Sequence, residues 1–380
     1  MNIDEYTHVY SAKTMVTVNF TNDVVTDNDD KVYITDAKLS ATNLVVLTII
    51  VLVIFVTSLV GNFSVFVIFY KRPMFITISN KFIINLTVCN SLQTLLIMPF
   101  VFASMVTQKW LFSFIWCQCS GFLMNAIFAA STLTLVVIAI DRYCAVVKPL
   151  HYSLHMTQRR ATVMILGVWL IAVMCSIPPL IGWNKYEFQR EKIACLPLSS
   201  SKSLSDVTYT MVLVCLCFII PSAIIIWAYC VIFKAARTSN ENVRRNSTLA
   251  NGLNDLPQDI PLQSVRRNSS IQLFIHKLSS AGRTGTVLLR KDERKAAVTS
   301  FMILFTFILC WLLYFIIIFL ECLLNNPEHI DPIFKTLSVI LALSSCAINP
   351  LVYVFRGKLQ RVQFKSILRF NKPILNSSLA

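Results

Sequence analysis

Seven long apolar blocks limit what this chain can fold into. They lie near residues 43–70, 80–106, 113–140, 160–182, 207–234, 295–322 and 333–355. A helix needs about 20 mostly apolar residues to cross a bilayer, and each block is that long. In lipid every backbone N–H and C=O needs an internal partner, and the blocks lack the alternation of barrel strands. The pattern predicts an all-α integral membrane protein, a seven-transmembrane helix bundle.

Composition and charge placement agree with a membrane protein. Only 14% of the residues are charged and 56% are hydrophobic, which excludes a disordered chain, a coiled coil and a soluble nucleic-acid binder. The net charge of +15 is unevenly placed, because 25 of the 34 Lys and Arg residues lie in 71–81, 142–160, 234–295 and 356–372. Basic residues concentrate on the cytoplasmic side, so the N-terminus is predicted outside and the tail inside.

These spans predict a simple domain organisation. Residues 1–42 form an extracellular segment without an apolar core behind a basic start, so no cleavable signal peptide is expected and the first span acts as the insertion signal. Residues 43–355 form the transmembrane domain, which includes a polar, flexible cytoplasmic loop at 241–292. Residues 356–380 are expected to form a short amphipathic helix and a cytoplasmic tail.

The loops and the N-terminal segment carry candidate modification sites. Asn19, in Asn-Phe-Thr, is the one sequon that is both exposed and outside, so it is the expected glycosylation site. Ser247 and Ser269 each follow Arg-Arg-Asn, a pattern typical of basophilic kinase substrates, and phosphorylation there would change the loop charge. The alternative is that these are two basic clusters in a flexible loop.

Twelve cysteines are present, most of them inside the spans. Cys117 and Cys195 both fall on the predicted outer side, where the oxidising exterior permits a bridge. Cys119 and Cys322 are also near that face, so the residues alone leave the pairing open.

Nearly every block carries a motif of one receptor family. The motifs are Gly61-Asn62, Asp141-Arg142-Tyr143, Trp169, Pro178-Pro179, Pro221, Tyr229, Phe307, Cys310-Trp311 and Asn349-Pro350-Leu351-Val352-Tyr353. Their order and spacing over about residues 43–370 resemble the rhodopsin-like (class A) G-protein-coupled receptors. Pro178 to Trp183 and the residues after Arg142 look like an orphan-type member near the amine-receptor and opsin branch. The resemblance implies a multi-pass receptor of the plasma membrane and no enzyme activity.

The resemblance implies a disulfide between Cys117 and Cys195, and a switch centred on Arg142. In the resting family members this arginine pairs with the neighbouring acid and with a glutamate that begins the sixth helix, here Glu293. Loss of the Glu293 contact would let helix six move outward and expose Arg142 to the G protein. The expected coupling and switch residues are Asp141, Arg142, Tyr143, Tyr229, Glu293, Asn349, Pro350 and Tyr353. The alternative is an arginine that snorkels at a helix end.

Several positions depart from the family pattern. Asn90 stands where the family has an aspartate that binds sodium with neighbours at Ser131, Ser345 and Asn349. A neutral amide is a poor sodium ligand, so we hypothesise that sodium does not restrain this receptor. Leu313 replaces the proline of helix six, so a smaller kink is expected. The tail lacks a cysteine for palmitoylation, and Leu359-Gln360 replaces the usual aromatic residue.

The ligand position of two branches is also changed. Met124 stands where amine receptors have an aspartate and Leu343 where opsins have the retinal lysine, so neither ligand is expected. The remaining pocket is apolar and aromatic, with Glu321 and Lys335 as polar groups near its mouth. Its expected lining is Met124, Asn125, Phe128, Trp311, Tyr314, Phe315, Ile318 and Val339. Such a pocket suits an apolar small molecule or a lipid. The alternative is that these residues pack the bundle, with signalling that needs no ligand or responds to a peptide on the loops.

The predicted function is therefore that of an orphan G-protein-coupled receptor. It transmits an extracellular or membrane-derived signal, or basal activity, to a heterotrimeric G protein through outward movement of helix six. Membrane lipids, an arrestin and a kinase are further expected partners, and no cofactor, metal or nucleic acid is expected. The alternative is a receptor-fold partner that does not couple and modulates another receptor. A transporter or channel is disfavoured because neither an inverted repeat nor midplane charge is evident.

Overall fold

A computed structural model gives the fold. It describes residues 40–71, 77–149, 152, 154, 156–199, 203–254, 297–324 and 330–356, with only the backbone at 239–240, 242–254 and 353–356. Seven helices in this part of the chain are long and apolar enough to cross a membrane. We call them spans one to seven: Ala41–Lys71, Ile78–Thr107, Phe114–Val147, Gln158–Ile181, Leu204–Thr238, Ala297–Leu323 and Pro332–Val352. The predicted helical bundle is confirmed, and its spans match the seven apolar blocks.

Polar residues set where several spans begin. Thr77, Ser113 and Thr157 are in extended conformation, and each side-chain oxygen accepts a hydrogen bond from the backbone N–H three residues on. These bonds satisfy N–H groups that the first helical turn leaves without a partner. The starts of spans two, three and four are therefore fixed locally.

Prolines interrupt spans two, four and five. Span two consists of the helices Ile78–Leu96 and Met98–Thr107, which meet at Ile97 because Pro99 has no N–H to donate. In span four, the α-helix Gln158–Ser176 is followed by a 3-10 turn, Pro178–Ile181. In span five, a π-helical turn at Cys215–Ile219 separates Leu204–Val214 from Ile220–Asn254. The N–H of Ile220 donates to the carbonyl of Cys215, which accommodates Pro221 next in the chain.

The connection between spans four and five folds into a hairpin. Strands β1 (Tyr186–Gln189) and β2 (Ala194–Pro197) are antiparallel and pair Tyr186 with Pro197 and Gln189 with Ala194. A 3-10 turn, Arg190–Lys192, joins them. Cys195 of β2 forms a disulfide with Cys117 of span three, as predicted, whereas Cys119 and Cys322 are free thiols. The bond fixes the hairpin over one end of the bundle, which we call the Cys117 end.

Span three is the central helix. About 72% of its most apolar stretch is buried, against 22% in span one, where Val53 and Phe63 are exposed. Polar bonds cross this core, since Trp169 donates to Asn85, which in turn donates to Thr134 of span three at 2.8 Å. Span three contains both Cys117 and Arg142 and so runs from one end of the bundle to the other. We call the end of the bundle near Arg142 the Arg142 end.

Some predicted features lie outside the described residues. These are Asn19, Ser269, Glu293 and the amphipathic helix expected within 356–380. Ser247 and Tyr353 lie on described helices, but their side chains are not described. The helix Ile220–Asn254 includes the first part of the loop 241–292, so that part is helical where the sequence predicts a flexible segment.

Candidate functional site

A buried charged group lies at the Arg142 end. Asp141 and Arg142 are both buried, and the Arg142 guanidinium donates to Asp141 Oδ2 from Nη2 at 2.6 Å and from Nε at 3.1 Å. Ser79 of span two donates to the same carboxylate oxygen at 2.7 Å and also accepts a bond from Arg142. Tyr152 donates to Oδ1 at 2.8 Å. The Asp141 carboxylate thus binds the Nε and Nη2 edge of the Arg142 guanidinium. This pairing supplies the partner that a buried charge requires.

Tyr152 links this pair to the loop after span three. Its hydroxyl also lies 3.4 Å from Ser79 Oγ, and partial burial raises its pKa to about 12. The phenol therefore keeps its proton at physiological pH and remains a donor to Asp141. Two spans and one loop together fix the Asp141 carboxylate.

Two further predicted switch residues, Tyr143 and Tyr229, pack against rings of spans five and six. The ring of Tyr143 lies 5.2 Å from that of Trp227 in span five. Tyr229 is buried, and its ring lies 5.4 Å from Phe301 of span six. Spans five and six therefore meet close to Tyr229, and Tyr143 packs against span five.

Asparagines fill the middle of the bundle. Asn349 donates to Asn90 Oδ1 at 3.5 Å, and both side chains are buried. Ser131 and Ser345, the other expected neighbours of a sodium ion, instead donate to backbone carbonyls of their own helices. Among the described residues, Asn90 Nδ2 and Asn349 Oδ1 have no hydrogen-bond partner. The site is polar but carries no carboxylate.

Span seven passes span one at a very close approach. A Cβ atom placed on Gly61 would lie 2.7 Å from Cγ of Pro350, which stands inside the helix Pro332–Arg356. Only glycine allows this contact, so the Gly61 and Pro350 motifs are explained by packing against each other.

The predicted ligand residues surround a small cavity toward the Cys117 end. Seven of the eight line it, and Val339 is buried without lining it. The cavity volume is about 30 Å³, and further lining comes from Leu196 and Pro197 of β2 and from span five. The lining residues are Met124, Asn125, Phe128, Leu196, Pro197, Thr210, Leu213, Val214, Trp311, Tyr314, Phe315 and Ile318. Drug-sized ligands occupy pockets of roughly 300–1,000 Å³, so this cavity is closed to them in the present conformation.

Aromatic rings account for the small volume. Phe128 of span three lies 4.1 Å from Trp311 and 5.4 Å from Phe315 between ring centroids. Phe218 stacks on Phe315 at 4.3 Å, and Tyr314 meets Trp311 edge-on. Spans three, five and six are therefore in direct contact through these rings.

Two tyrosines close the space below the hairpin. Tyr186 of β1 donates to the carbonyl of Ser176 at 2.8 Å, and Tyr209 donates to that of Cys175 at 3.0 Å. Asn125 of span three donates to the Tyr209 hydroxyl at 3.1 Å. Asn125 also donates to the Tyr186 hydroxyl at 3.4 Å, so each hydroxyl is both donor and acceptor, and Tyr186 bonds the hairpin to spans three and four.

Four charged residues form the ionic cluster, and one of them, Glu321, lies about one helical turn from the cavity-lining residue Ile318. Lys192 of the hairpin is buried and lies 2.5 Å from Oε2 of Glu321 in span six. Lys335 of span seven is paired with Glu191 and lies 3.8 Å from Oε1 of Glu321. Burial lowers the pKa of the Lys192 ammonium, and the Glu321 carboxylate opposes that shift. The cluster ties the hairpin to spans six and seven.

Sequence reasoning found part of these sites. It identified Glu321 and Lys335 as polar groups near the mouth of the predicted pocket. It missed Glu191 and Lys192, which look like ordinary loop charges, and it missed Ser79 and Tyr152 as partners of Asp141. Their sequence neighbourhoods carry no signal for these contacts, because the contacts join residues far apart in the chain.

The comparisons with known proteins agree with this geometry. The family model described as "7 transmembrane receptor (rhodopsin family)" matches residues 61–353. The chain is 33% identical over 311 residues to G-protein coupled receptor 161 of Danio rerio, which covers 82% of this chain and 56% of the relative. For G-protein coupled receptor 161 of Homo sapiens the values are 31% over 318 residues, 83% and 57%.

Solved structures give the same picture. The crystal structure of squid rhodopsin superimposes with a TM-score of 0.69 at 25% identity, and the match covers 88% of this chain and 90% of that one. The chain spans somewhat more than half the length of the curated relatives it matches.

Proposed function

Since this chain belongs to the rhodopsin family of seven-transmembrane receptors, we propose that it is a plasma-membrane receptor that activates a heterotrimeric G protein. The Arg142 end faces the cytoplasm and the Cys117 end faces outside, in the orientation that the basic loops favour. The receptor performs no covalent chemistry. A ligand at the Cys117 end shifts the equilibrium between a resting and an active state of the helical bundle. The free energy of that shift equals the difference between the ligand's binding free energies for the two states.

The observation that carries this proposal is the buried Asp141–Arg142 pair. A cation at this depth needs a partner, and Asp141, Ser79 and Tyr152 together hold it in the resting geometry. Outward movement of span six opens the space beside Arg142 and lets the arginine bind the G protein. Tyr229, which packs against Phe301 of span six, is well placed to respond to that movement.

The remaining switch residues follow the same scheme. Glu293 pairs with Arg142 in the resting state, Tyr353 approaches Tyr229 in the active state, and Asn349 with Pro350 permits rearrangement of span seven. A kinase acting on Ser247 and Ser269 and an arrestin would end the signal, and Asn19 carries the glycan.

The ligand proposal concerns the aromatic cavity. An apolar small molecule or lipid would enter by separating the rings of Trp311 and Phe315 from Phe128, since the closed cavity holds only about 30 Å³. Basal activity without a ligand is the other mode consistent with such close packing. A receptor-fold partner that does not couple is not favoured, because the relatives are named as G-protein coupled receptors and the Asp141–Arg142 pair is intact.

The test is basal second-messenger output in cells, titrated against surface expression. Arg142→Ala should abolish the output while leaving surface expression intact. Arg159→Ala is the matched control, because Arg159 is an exposed arginine at the start of span four. Normal signalling by Arg142→Ala would overturn the proposed mechanism, and a wild type silent at every expression level would require an agonist screen or favour the partner protein.

A further inference from the structure

We propose that the ionic cluster is a binding site for a carboxylate carried on a short apolar body, and that Lys335 binds the carboxylate. The ligand would replace the side chain of Glu191, and its apolar part would point into the aromatic cavity. This ligand class presupposes the receptor function proposed above and specifies the chemistry at its pocket.

Lys335 depends on an exchangeable partner. Its side chain is 5% exposed, and its close ion pair is with Glu191, whereas Glu321 Oε1 is 3.8 Å away. The other oxygen of Glu321 is bound by Lys192 at 2.5 Å and by Ser199. Glu321 is therefore paired mainly with Lys192, and Glu191 is the carboxylate that neutralises Lys335.

Glu191 is the member of the cluster nearest to solvent. Its side chain is 44% exposed, against 2–5% for Lys192, Glu321 and Lys335. A half-exposed carboxylate loses little when it turns fully into water, whereas a buried cation left without a partner is costly. The exchange of one carboxylate for another at Lys335 is therefore the easiest change that the cluster permits.

The hairpin can stay in place during this exchange. Thr336 donates to the backbone carbonyl of Glu191 at 2.6 Å, so span seven holds the main chain independently of the carboxylate. Lys192 remains bound to Glu321, and Cys195 remains bound to Cys117. Within the ionic cluster, only the Glu191 side chain has to rotate.

Charge balance selects the sign of the ligand. With Glu191 in water, Lys192 and Lys335 face the single carboxylate of Glu321, and an anion restores neutrality. A ligand ammonium would add a third positive charge to a buried site, which is strongly unfavourable. The cluster therefore selects an acid over an amine of the same size.

The cavity supplies the apolar part of the site. Ile318 lies three residues before Glu321 in span six, so it is one helical turn below the cluster and lines the cavity. Leu196 of β2 lines it as well. Because the closed volume is about 30 Å³, the apolar body must displace the Leu196 side chain or separate the rings of Phe128 and Trp311.

The experiment measures binding without a G protein. The full chain is reconstituted in lipid nanodiscs, and its thermal midpoint is followed against octanoic acid, methyl octanoate and octylamine. Octanoic acid should raise the midpoint of the wild type in a saturable manner. Lys335→Gln should raise the apparent Kd for octanoic acid at least about tenfold, whereas Lys335→Arg should retain binding. Glu191→Gln should lower that Kd because the competing carboxylate is gone.

The matched control is Lys185→Gln on the same hairpin. Lys185 pairs with Glu187 at 3.0 Å, but both side chains are more than half exposed, so octanoic acid should bind this variant as it binds the wild type. If Lys335→Gln does not fold, Glu191→Gln and Lys335→Arg still decide the question.

Several outcomes would overturn the assignment. Equal stabilisation by acid and ester would mean simple partitioning into the apolar region, and stabilisation by octylamine alone would make Glu321 the binding group. No stabilisation by octanoic acid, or loss of binding in Glu191→Gln, would also contradict it. Signalling of the wild type against Arg142→Ala, with and without octanoic acid, tests the receptor function separately. Acid binding by a protein that stays silent in both conditions would leave this site intact and count against the coupling.

Discussion

The hydroxyl of Tyr152 donates a 2.8 Å hydrogen bond to Oδ1 of Asp141, while Oδ2 of the same carboxylate accepts two bonds from Arg142. One carboxylate therefore joins the loop after span three to the arginine at the end of that span. The resting position of Arg142 depends on the charge of Asp141 and on the groups that orient it.

Asp141→Asn should raise basal second-messenger output per surface receptor. The neutral amide loses the ionic part of the hold on Arg142, and charge-assisted hydrogen bonds contribute about 1.5–3 kcal/mol, so the ratio of active to resting receptor should rise about tenfold or more. Tyr152→Phe removes one hydrogen-bond donor to Asp141 and should raise basal output less than Asp141→Asn does. The double variant Asp141→Asn/Arg142→Ala should be silent, and output in that variant would show that Arg142 is not the coupling group.

Asn90→Asp should introduce sensitivity to sodium. The described asparagine site lacks a carboxylate, and a charged oxygen ligand beside Ser131 and Asn349 is the chemistry that a hard cation requires. Basal output of the wild type should be equal in sodium and potassium media, whereas that of Asn90→Asp should fall selectively in sodium. A sodium-dependent fall in the wild type would refute the hypothesis drawn from Asn90.

Gly121→Ala should destabilise the protein. A Cβ at Gly121 would lie 2.6 Å from Cδ1 and 2.7 Å from Cγ of Tyr186, the buried first residue of β1. Overpacking of this kind costs about 1–3 kcal/mol, and it should appear as a lower thermal midpoint in nanodiscs.

Gly167→Ala is the control for this change, since a Cβ there meets no atom within 4 Å and alanine favours a helix. Alanine at position 186 removes the two nearest ring atoms, Cδ1 and Cγ, so Tyr186→Ala should cost less in the Gly121→Ala background than alone. Equal midpoints for Gly121→Ala and Gly167→Ala would mean that the hairpin yields without cost.

The sequence predicts the spans well because lipid permits few structures. Apolar length alone locates seven helices, and the family motifs locate the Cys117–Cys195 bond and the Asp141–Arg142 pair. The break at Ile97 was missed, although Pro99 beside it signals one. The aromatic cavity was predicted from motif positions that face one another across the bundle.

The hairpin contacts were not predictable in the same way. Lys192 meets Glu321 across 129 residues of sequence separation, and nothing in Arg190-Glu191-Lys192 marks one charge as buried and another as exposed. The small cavity volume follows from how Phe218, Phe315 and Phe128 pack, which depends on ring orientation and not on residue type. Loop structure and packing therefore required the three-dimensional arrangement.

Lys192→Met should be among the most destabilising changes at the Cys117 end. It leaves the Glu321 carboxylate buried, with Lys335 3.8 Å away and already paired with Glu191. Removing one member of a buried pair costs about 3–5 kcal/mol, because the remaining charge is uncompensated. The thermal midpoint in nanodiscs should fall clearly, and Lys185→Met, at the exposed pair of the same hairpin, should leave it unchanged.

The double variant Lys192→Met/Glu321→Leu separates charge from packing. Replacing both members of a buried pair by apolar groups is often neutral, so this variant should recover most of the midpoint lost in Lys192→Met. Recovery would mean that the pair specifies where the hairpin sits and adds little net stability. A double variant as unstable as the single one would mean instead that Ser199 or Lys335 depends on Glu321, because both contact its carboxylate in the ionic cluster.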